Sequence, residues 1–106
     1  MKYLVHLSEK SEQDIREIYE YIAYTLLAPM NAETVFDRIT NAVLSLSEMP
    51  ERHKIYKTGK NGERIRFLVS GNHIIFYWVD HSANQVNVVR ILYGGIDVDR
   101  ELDFQG

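Results

Sequence analysis

The sequence has no cysteine and only two prolines in 106 residues. Without thiols there can be no disulfide and no thiolate metal site, and the chain suits a reducing compartment, so a cytoplasmic location is expected. No stretch approaches the roughly 18 consecutive apolar residues of a membrane span. Met-Lys-Tyr-Leu-Val-His runs straight into polar residues, so no secretory signal is expected. His6, His53, His73 and His81 are scattered, with no pair at metal-ligand spacing, and no metal site is expected. There is no glycine-rich phosphate loop, no nucleophile elbow and no internal repeat, and no cofactor is expected.

Positive charge is also scarce. The net charge is −3 and the isoelectric point is near 5.8, which argues against strong non-specific binding to nucleic acid. The few cations are clustered. Residues 1–50 carry four basic and eight acidic side chains, and residues 67–106 carry two and five. Residues 51–66 carry six basic side chains and two acidic ones. The six are Arg52, Lys54, Lys57, Lys60, Arg64 and Arg66. Such a segment can be a patch for an acidic partner or for phosphate, or a solvated loop kept soluble by lysine.

What is present is a clear change of periodicity. Residues 3–7 alternate and read as a first strand. Ser8 and Ser11 are good helix caps, Ser11 with Asp14 three residues on. Ile15, Ile18, Tyr19, Ile22 and Leu26 then recur at helical spacing, so an amphipathic helix is expected from about residue 9 to about 26. Pro29 stops it and suits the first turn of a second helix, with Asn31 as another possible cap. Val35, Ile39, Ala42, Val43 and Leu46 give that helix its stripe, which ends at Met49-Pro50. Residues 51–63 read as a polar loop and turn.

From Arg64 the period is two. Ile65, Phe67 and Val69 share one side, opposite Arg64, Arg66 and Leu68. Ser70-Gly71-Asn72 reads as a hairpin turn, and His73 to Asp80 as a central strand apolar on both faces. His81 to Asn84 is the next turn, and Gln85 to Tyr93 the last strand. Gly94-Gly95 breaks it, and 96–103 suits one helical turn. The order is β-α-α-β-β-β, a single α+β domain over residues 1–106. A helical hairpin should cover one face of an antiparallel sheet of about four strands, leaving the other face to a substrate or partner.

Three stretches, taken in order, resemble the RelE/ParE superfamily of toxins from bacterial type II toxin–antitoxin systems. The first is Asp14-Ile15-Arg16-Glu17-Ile18-Tyr19-Glu20-Tyr21-Ile22, similar to the family's first helix. The second is Leu46-Ser47-Glu48-Met49-Pro50, followed by the basic segment and Arg64-Ile65-Arg66. The third is Ile74 to Asp80, a turn, and Val86 to Asp97. The resemblance implies the same α+β fold, a cognate antitoxin and a hetero-oligomer with it. For the target it implies either DNA gyrase, inhibited without catalysis (ParE-like), or mRNA cut on the ribosome (RelE-like). A relative that only binds its antitoxin and regulates transcription is a third possibility. Many members have histidine where this chain has Tyr93 and a basic residue where it has Ile96. Those departures and the acidic composition favour the ParE-like branch.

The candidate residues follow from both readings. Arg52, Lys54, Lys57, Arg64, Arg66 and Arg90 are candidates for contact with a target or antitoxin, since arginine forks match phosphates and carboxylates. In a RelE-like enzyme Arg64, Arg66 and Arg90 would stabilise charge on the phosphate. Glu63, His53 or Lys54 would be the base, and Tyr93 the acid. The plain alternatives are edge-strand charges for Arg64 and Arg66, and a packed core-edge tyrosine for Tyr93. Arg90 interrupts the apolar run Val86 to Leu92. Burial without a partner would be costly, so it should reach the open sheet face near Arg64 or Arg66, or pair with an acid such as Asp80. Phe104-Gln105-Gly106 resembles the remnant of a protease site.

Overall fold

A computed structural model describes residues 2–103, so the residues that resemble a protease remnant lie outside the described ones. Strand β1 spans Leu4–Leu7 and helix α1 Glu9–Glu20, continued by a wider π-helical turn at Tyr21–Thr25. Helix α2 spans Pro29–Ser45, followed by a 3₁₀ turn at Pro50–Arg52. Strands β2 (Ile55–Thr58), β3 (Arg64–Ser70), β4 (His73–Asp80) and β5 (Gln85–Tyr93) follow, then a short helix α3 at Val98–Asp103. The sheet order is β1-β5-β4-β3-β2, with β1 parallel to β5 and every other pair antiparallel.

The chain forms these elements for local reasons. Ser8 caps α1, its hydroxyl oxygen accepting the Ser11 N–H at 3.0 Å, while Glu9 and Glu12 sit in the first turn where the helix dipole favours acids. Ser11 is therefore not the cap, and Asp14 does not close a capping box: it is turned toward the sheet. Pro29 opens α2 as its first residue, behind Ala28 at the cap position, so Asn31 lies inside the helix instead of capping it. Leu27 has φ +56 and turns the chain between the helices. Gly71 has φ +60 at the first central position of the β3–β4 turn, where a two-residue hairpin of type II′ calls for glycine.

The helical hairpin packs on one face of the sheet, as its apolar stripes require. Ile39, Val43 and Leu46 of α2 meet Ile75, Tyr77, Val86, Val88 and Ile91. β4 is the middle strand of five and is apolar on both sides for the reason read from its sequence: Ile75 and Tyr77 face the hairpin, Phe76 faces away.

Two expectations are corrected here. The segment 51–63 is not wholly a loop, because Ile55–Thr58 adds a fifth strand at the sheet edge. Its alternation is short and polar, as an edge strand with lysine tolerates, and a bulge at Tyr56 breaks the register. Nor is the face away from the hairpin left open. Ile65, Phe76, Leu92 and Leu102 form a second buried cluster there, flanked by Phe67, Ile74, Trp78, Val89 and Val98. The short helix α3 covers that cluster. The ring of Tyr56 packs edge-on to Phe76 at 5.4 Å, and its hydroxyl donates to Asp99 of α3.

Candidate functional site

The cations of the basic segment are dispersed by the fold. Arg52 donates to the carbonyls of Glu48 and Met49 and, at 3.4 Å, to that of Ser45, which closes the carboxyl end of α2. Arg66 is mostly covered. It donates to the carbonyls of His53 (2.7 Å) and Glu51 (3.1 Å) and pairs with the Glu51 carboxylate at 3.5 Å. Lys54 is exposed just before β2, and Lys57 on β2 lines a small cleft beside Trp78. Arg64 is exposed at the start of β3. Glu63 accepts the Asn61 N–H within its own turn.

Arg90 does not reach an open face, and its partner is not Asp80. It is 4% exposed, and its guanidinium fork meets Asp14 of α1 through Nε–Oδ2 at 2.8 Å and Nη2–Oδ1 at 2.9 Å. Asp14 also accepts the Ile91 N–H at 2.9 Å. The geometry has a clear origin. β1 ends at Leu7, opposite Val88, so the next residues of β5 have no strand beside them. Ser8 Oγ takes the Val89 carbonyl, and Asp14 takes the next free N–H of that edge. A bulge at Val89 re-aims Arg90 toward the same carboxylate. Arg90 also contacts Glu101 of α3, at the carbonyl (3.3 Å) and the carboxylate (3.5 Å). Hydrogen bonding to Asp14 raises the already high pKa of Arg90, against the opposing effect of burial. Arg90 thus joins α1, β5 and α3.

Tyr93 is exposed at the far end of β5, its ring edge-on to His73 at 6.0 Å. His73 pairs with Ser70 on one side and Tyr93 on the other. Arg64 lies six residues before Ser70 on β3, which at strand rise is about 20 Å. Tyr93 therefore stands at the opposite end of the sheet from Arg64 and Arg66, with Arg90 withdrawn into its ion pair. A general acid works only within hydrogen-bond reach of its leaving group. No phosphate can lie within reach of all four residues at once in this arrangement.

The end of the sheet that holds Tyr93 does have a shaped surface. A groove of about 710 Å³ runs between the hairpin and the end of β5. Tyr21 and Leu26 form one wall, Tyr93 and Ile96 the other, with Arg38 and His73 between them. Tyr21, Leu26 and Tyr93 are each more than half exposed. Arg38 reaches over the β3–β4 turn, where a β-carbon at Gly71 would come within 2.5 Å of its guanidinium. This surface can bind an apolar segment carrying an acceptor for Arg38. The sequence reading missed Arg38, Tyr21 and Asp14. Asp14 left one signal, since it stands beside the apolar stripe of α1 with Ser11 and Ile18 at helical spacing.

At the other end of the sheet, His53 packs edge-on to Tyr77, and its Nε2 is buried without a hydrogen-bond partner. Burial, then Arg52 and Arg66, lowers its pKa. Burial, then Arg38, lowers that of His73. Both folded values lie below the ordinary 6.5. Above that pH both histidines are neutral in either state, and stability is full. Below it the unfolded chain binds protons that the folded chain resists, so stability falls. The melting temperature should therefore drop as pH is lowered from about 7.5 to about 5.5, and the drop should shrink in His53→Gln and His73→Gln. A flat profile across that window would contradict this account.

Among the described residues no group of three histidine, acidic or cysteine side chains could hold a metal ion. No described helix is long and apolar enough to cross a membrane.

Comparison with known proteins agrees with the architecture. Residues 5–98 match the family described as the ParE toxin of the type II toxin–antitoxin system parDE. No curated protein matches by sequence. Among solved structures, a chain of the chromosomal ParDE system from P. aeruginosa superposes with a TM-score of 0.68 at 18% identity, over 87% of this chain and 96% of that one. A chain of the RelBE2 toxin–antitoxin complex from Mycobacterium tuberculosis gives 0.61 at 15%, over 88% and 92%. A mutant E. coli toxin RelE in the free state gives 0.65 at 15%, over 99% and 97%. At such identities these structures share the fold with this chain. The family match spans most of the sequence, and the chain belongs to the ParE toxin family of type II toxin–antitoxin systems.

Proposed function

We propose that this toxin arrests growth by binding DNA gyrase, without catalysis of its own, and that a cognate antitoxin neutralises it. The observation that carries the reading is the dispersal of the would-be catalytic set. Arg90 is consumed by Asp14, Arg66 by Glu51 and two carbonyls, and Tyr93 lies at the far end of the sheet. The acidic composition supports it too, because ribosome binding relies on many cationic contacts to phosphate.

The groove beside Tyr93 is the proposed contact surface for target and antitoxin, with Arg38 as its cation and Tyr21, Leu26 and Ile96 as its apolar anchors. Relatives of the same fold occur in ParDE and RelBE toxin–antitoxin assemblies. Of the basic segment, exposed Lys54 and Arg64 remain available as outer contacts. The test is inducible expression in a bacterium. Induction of the DNA-damage response with translation continuing is the expected outcome. Immediate translation arrest with cleaved mRNA, and no damage response, would replace this reading with a ribonuclease.

A further inference from the structure

Three segments meet at the end of the sheet where β5 begins, opposite Tyr93. Tyr3 stands just before β1, Glu51 in the 3₁₀ turn, and His81 in the β4–β5 turn. Their backbones are pinned. The Tyr3 N–H donates to the Ser47 carbonyl at 2.7 Å, and the Leu4 N–H to the Asn84 carbonyl at 3.0 Å. Asp80 holds the β4–β5 turn by accepting from the Ser82 hydroxyl (2.7 Å) and the Ala83 N–H (3.2 Å).

The side chains form a line. His81 Nε2 lies 3.0 Å from a Glu51 carboxylate oxygen, and His81 Nδ1 lies 3.3 Å from the Tyr3 hydroxyl. An ionised carboxylate only accepts, so Nε2 carries the hydrogen and donates. In the neutral ring Nδ1 then keeps its lone pair and accepts the Tyr3 O–H. Arg66 steadies Glu51 from its other side at 3.5 Å. A nucleophile, a base and a third group that orients the base are the recurring parts of nucleophilic catalysis. The alternative is a structural tie. The His81 and Glu51 side chains are 58% and 49% exposed, however, and exposed polar pairs add little stability. The same exposure opens the line to reagents in solution. Among the described residues, Tyr3 is the one tyrosine whose hydroxyl meets a histidine nitrogen.

We propose that Tyr3 is a modification site that takes an acyl group from a thioester or other activated ester. Tyr3 Oη bonds to the acyl carbon, and the bond from that carbon to the leaving sulfur or oxygen breaks, its electron pair going with the leaving atom. His81 Nδ1 takes the phenolic proton as the new bond forms and passes it to the leaving group. The products are an O-acyl tyrosine and a free thiol or alcohol. An uncharged acyl carbon suits the place. Glu51 and Asp80 repel a polyanionic donor such as a nucleoside triphosphate, and Arg52 and Arg66 are occupied by backbone carbonyls.

The probe is p-nitrophenyl acetate, added to the full chain near neutral pH, with acetyl groups located over time by peptide mass mapping. Tyr21 and Tyr24 are internal references, 55% and 70% exposed and without such a base. Tyr3 is less exposed than either, yet should be acetylated at least about tenfold faster. His81→Phe keeps a ring beside Tyr3 but has no nitrogen. It should melt like the parent and leave the reference rates unchanged, while Tyr3 falls to the rate of the references. Glu51→Gln keeps an acceptor without the charge and should give an intermediate rate at Tyr3. Labelling that follows exposure, with Tyr24 fastest, would overturn the proposal. So would a Tyr3 rate unchanged in His81→Phe, or acetyl groups confined to lysine and the amino terminus.

Discussion

Arg90→Ala should destabilise the fold by about 3–5 kcal/mol, because removing one partner of a buried ion pair strands the other charge. Asp14 is 6% exposed, so its carboxylate is largely withdrawn from solvent and depends on the guanidinium for its partner. The contact of Arg90 with Glu101 is lost too, which loosens α3. For a domain near this size, each kcal/mol is worth several degrees, so the melting temperature should fall by roughly 12 °C or more. The paired change Asp14→Leu with Arg90→Leu should recover part of the loss by removing both charges. Recovery should stay incomplete, because the Ile91 N–H loses its acceptor and a buried unpaired donor costs about 1–3 kcal/mol. Thermal melting of the parent and the two variants measures this. An Arg90→Ala protein that melts with the parent would show that the pair carries no weight.

Phe76→Ala should cost about 3–5 kcal/mol as well. Phe76 is 1% exposed on the face away from the hairpin, under Tyr56 and beside Leu92 and Leu102. Truncating it opens a cavity in the second cluster and removes the seat of α3, which cannot collapse onto a rigid central strand. Urea unfolding gives the number directly. A loss below about 1 kcal/mol, the usual size for a surface site, would mean that this face is not a packed core.

The elements themselves were legible because each has a strong local cause. The stripe from Ile15 to Leu26, the proline opening α2, and the bounds His73–Asp80 and Gln85–Tyr93 are all set within a few residues of sequence. β2 was hidden because an edge strand needs only one neighbour and can be polar, and its Tyr56 finds aromatic partners only in three dimensions. Arg90 posed a problem that its own strand could not answer. An arginine in an apolar run must have an acid or solvent, but the acid lies 76 residues away on α1, brought there by the early end of β1. Glu101 and Asp99 lie in the stretch read as one helical turn, and their part as the polar ties of α3 depends on Arg90 and Tyr56, which are distant in sequence. The likeness to RelE/ParE toxins carried the family, which no single residue did. The groove beside Tyr93 could not be read at all, since Tyr21, Leu26, Arg38 and Ile96 come from three separate stretches.

The most direct test of non-catalytic inhibition is a supercoiling reaction with purified gyrase, relaxed plasmid and this chain. Supercoiling should be lost as toxin is added and return when the cognate antitoxin follows, with added mRNA intact throughout. Undisturbed supercoiling, together with cleavage of mRNA on translating ribosomes, would contradict the account.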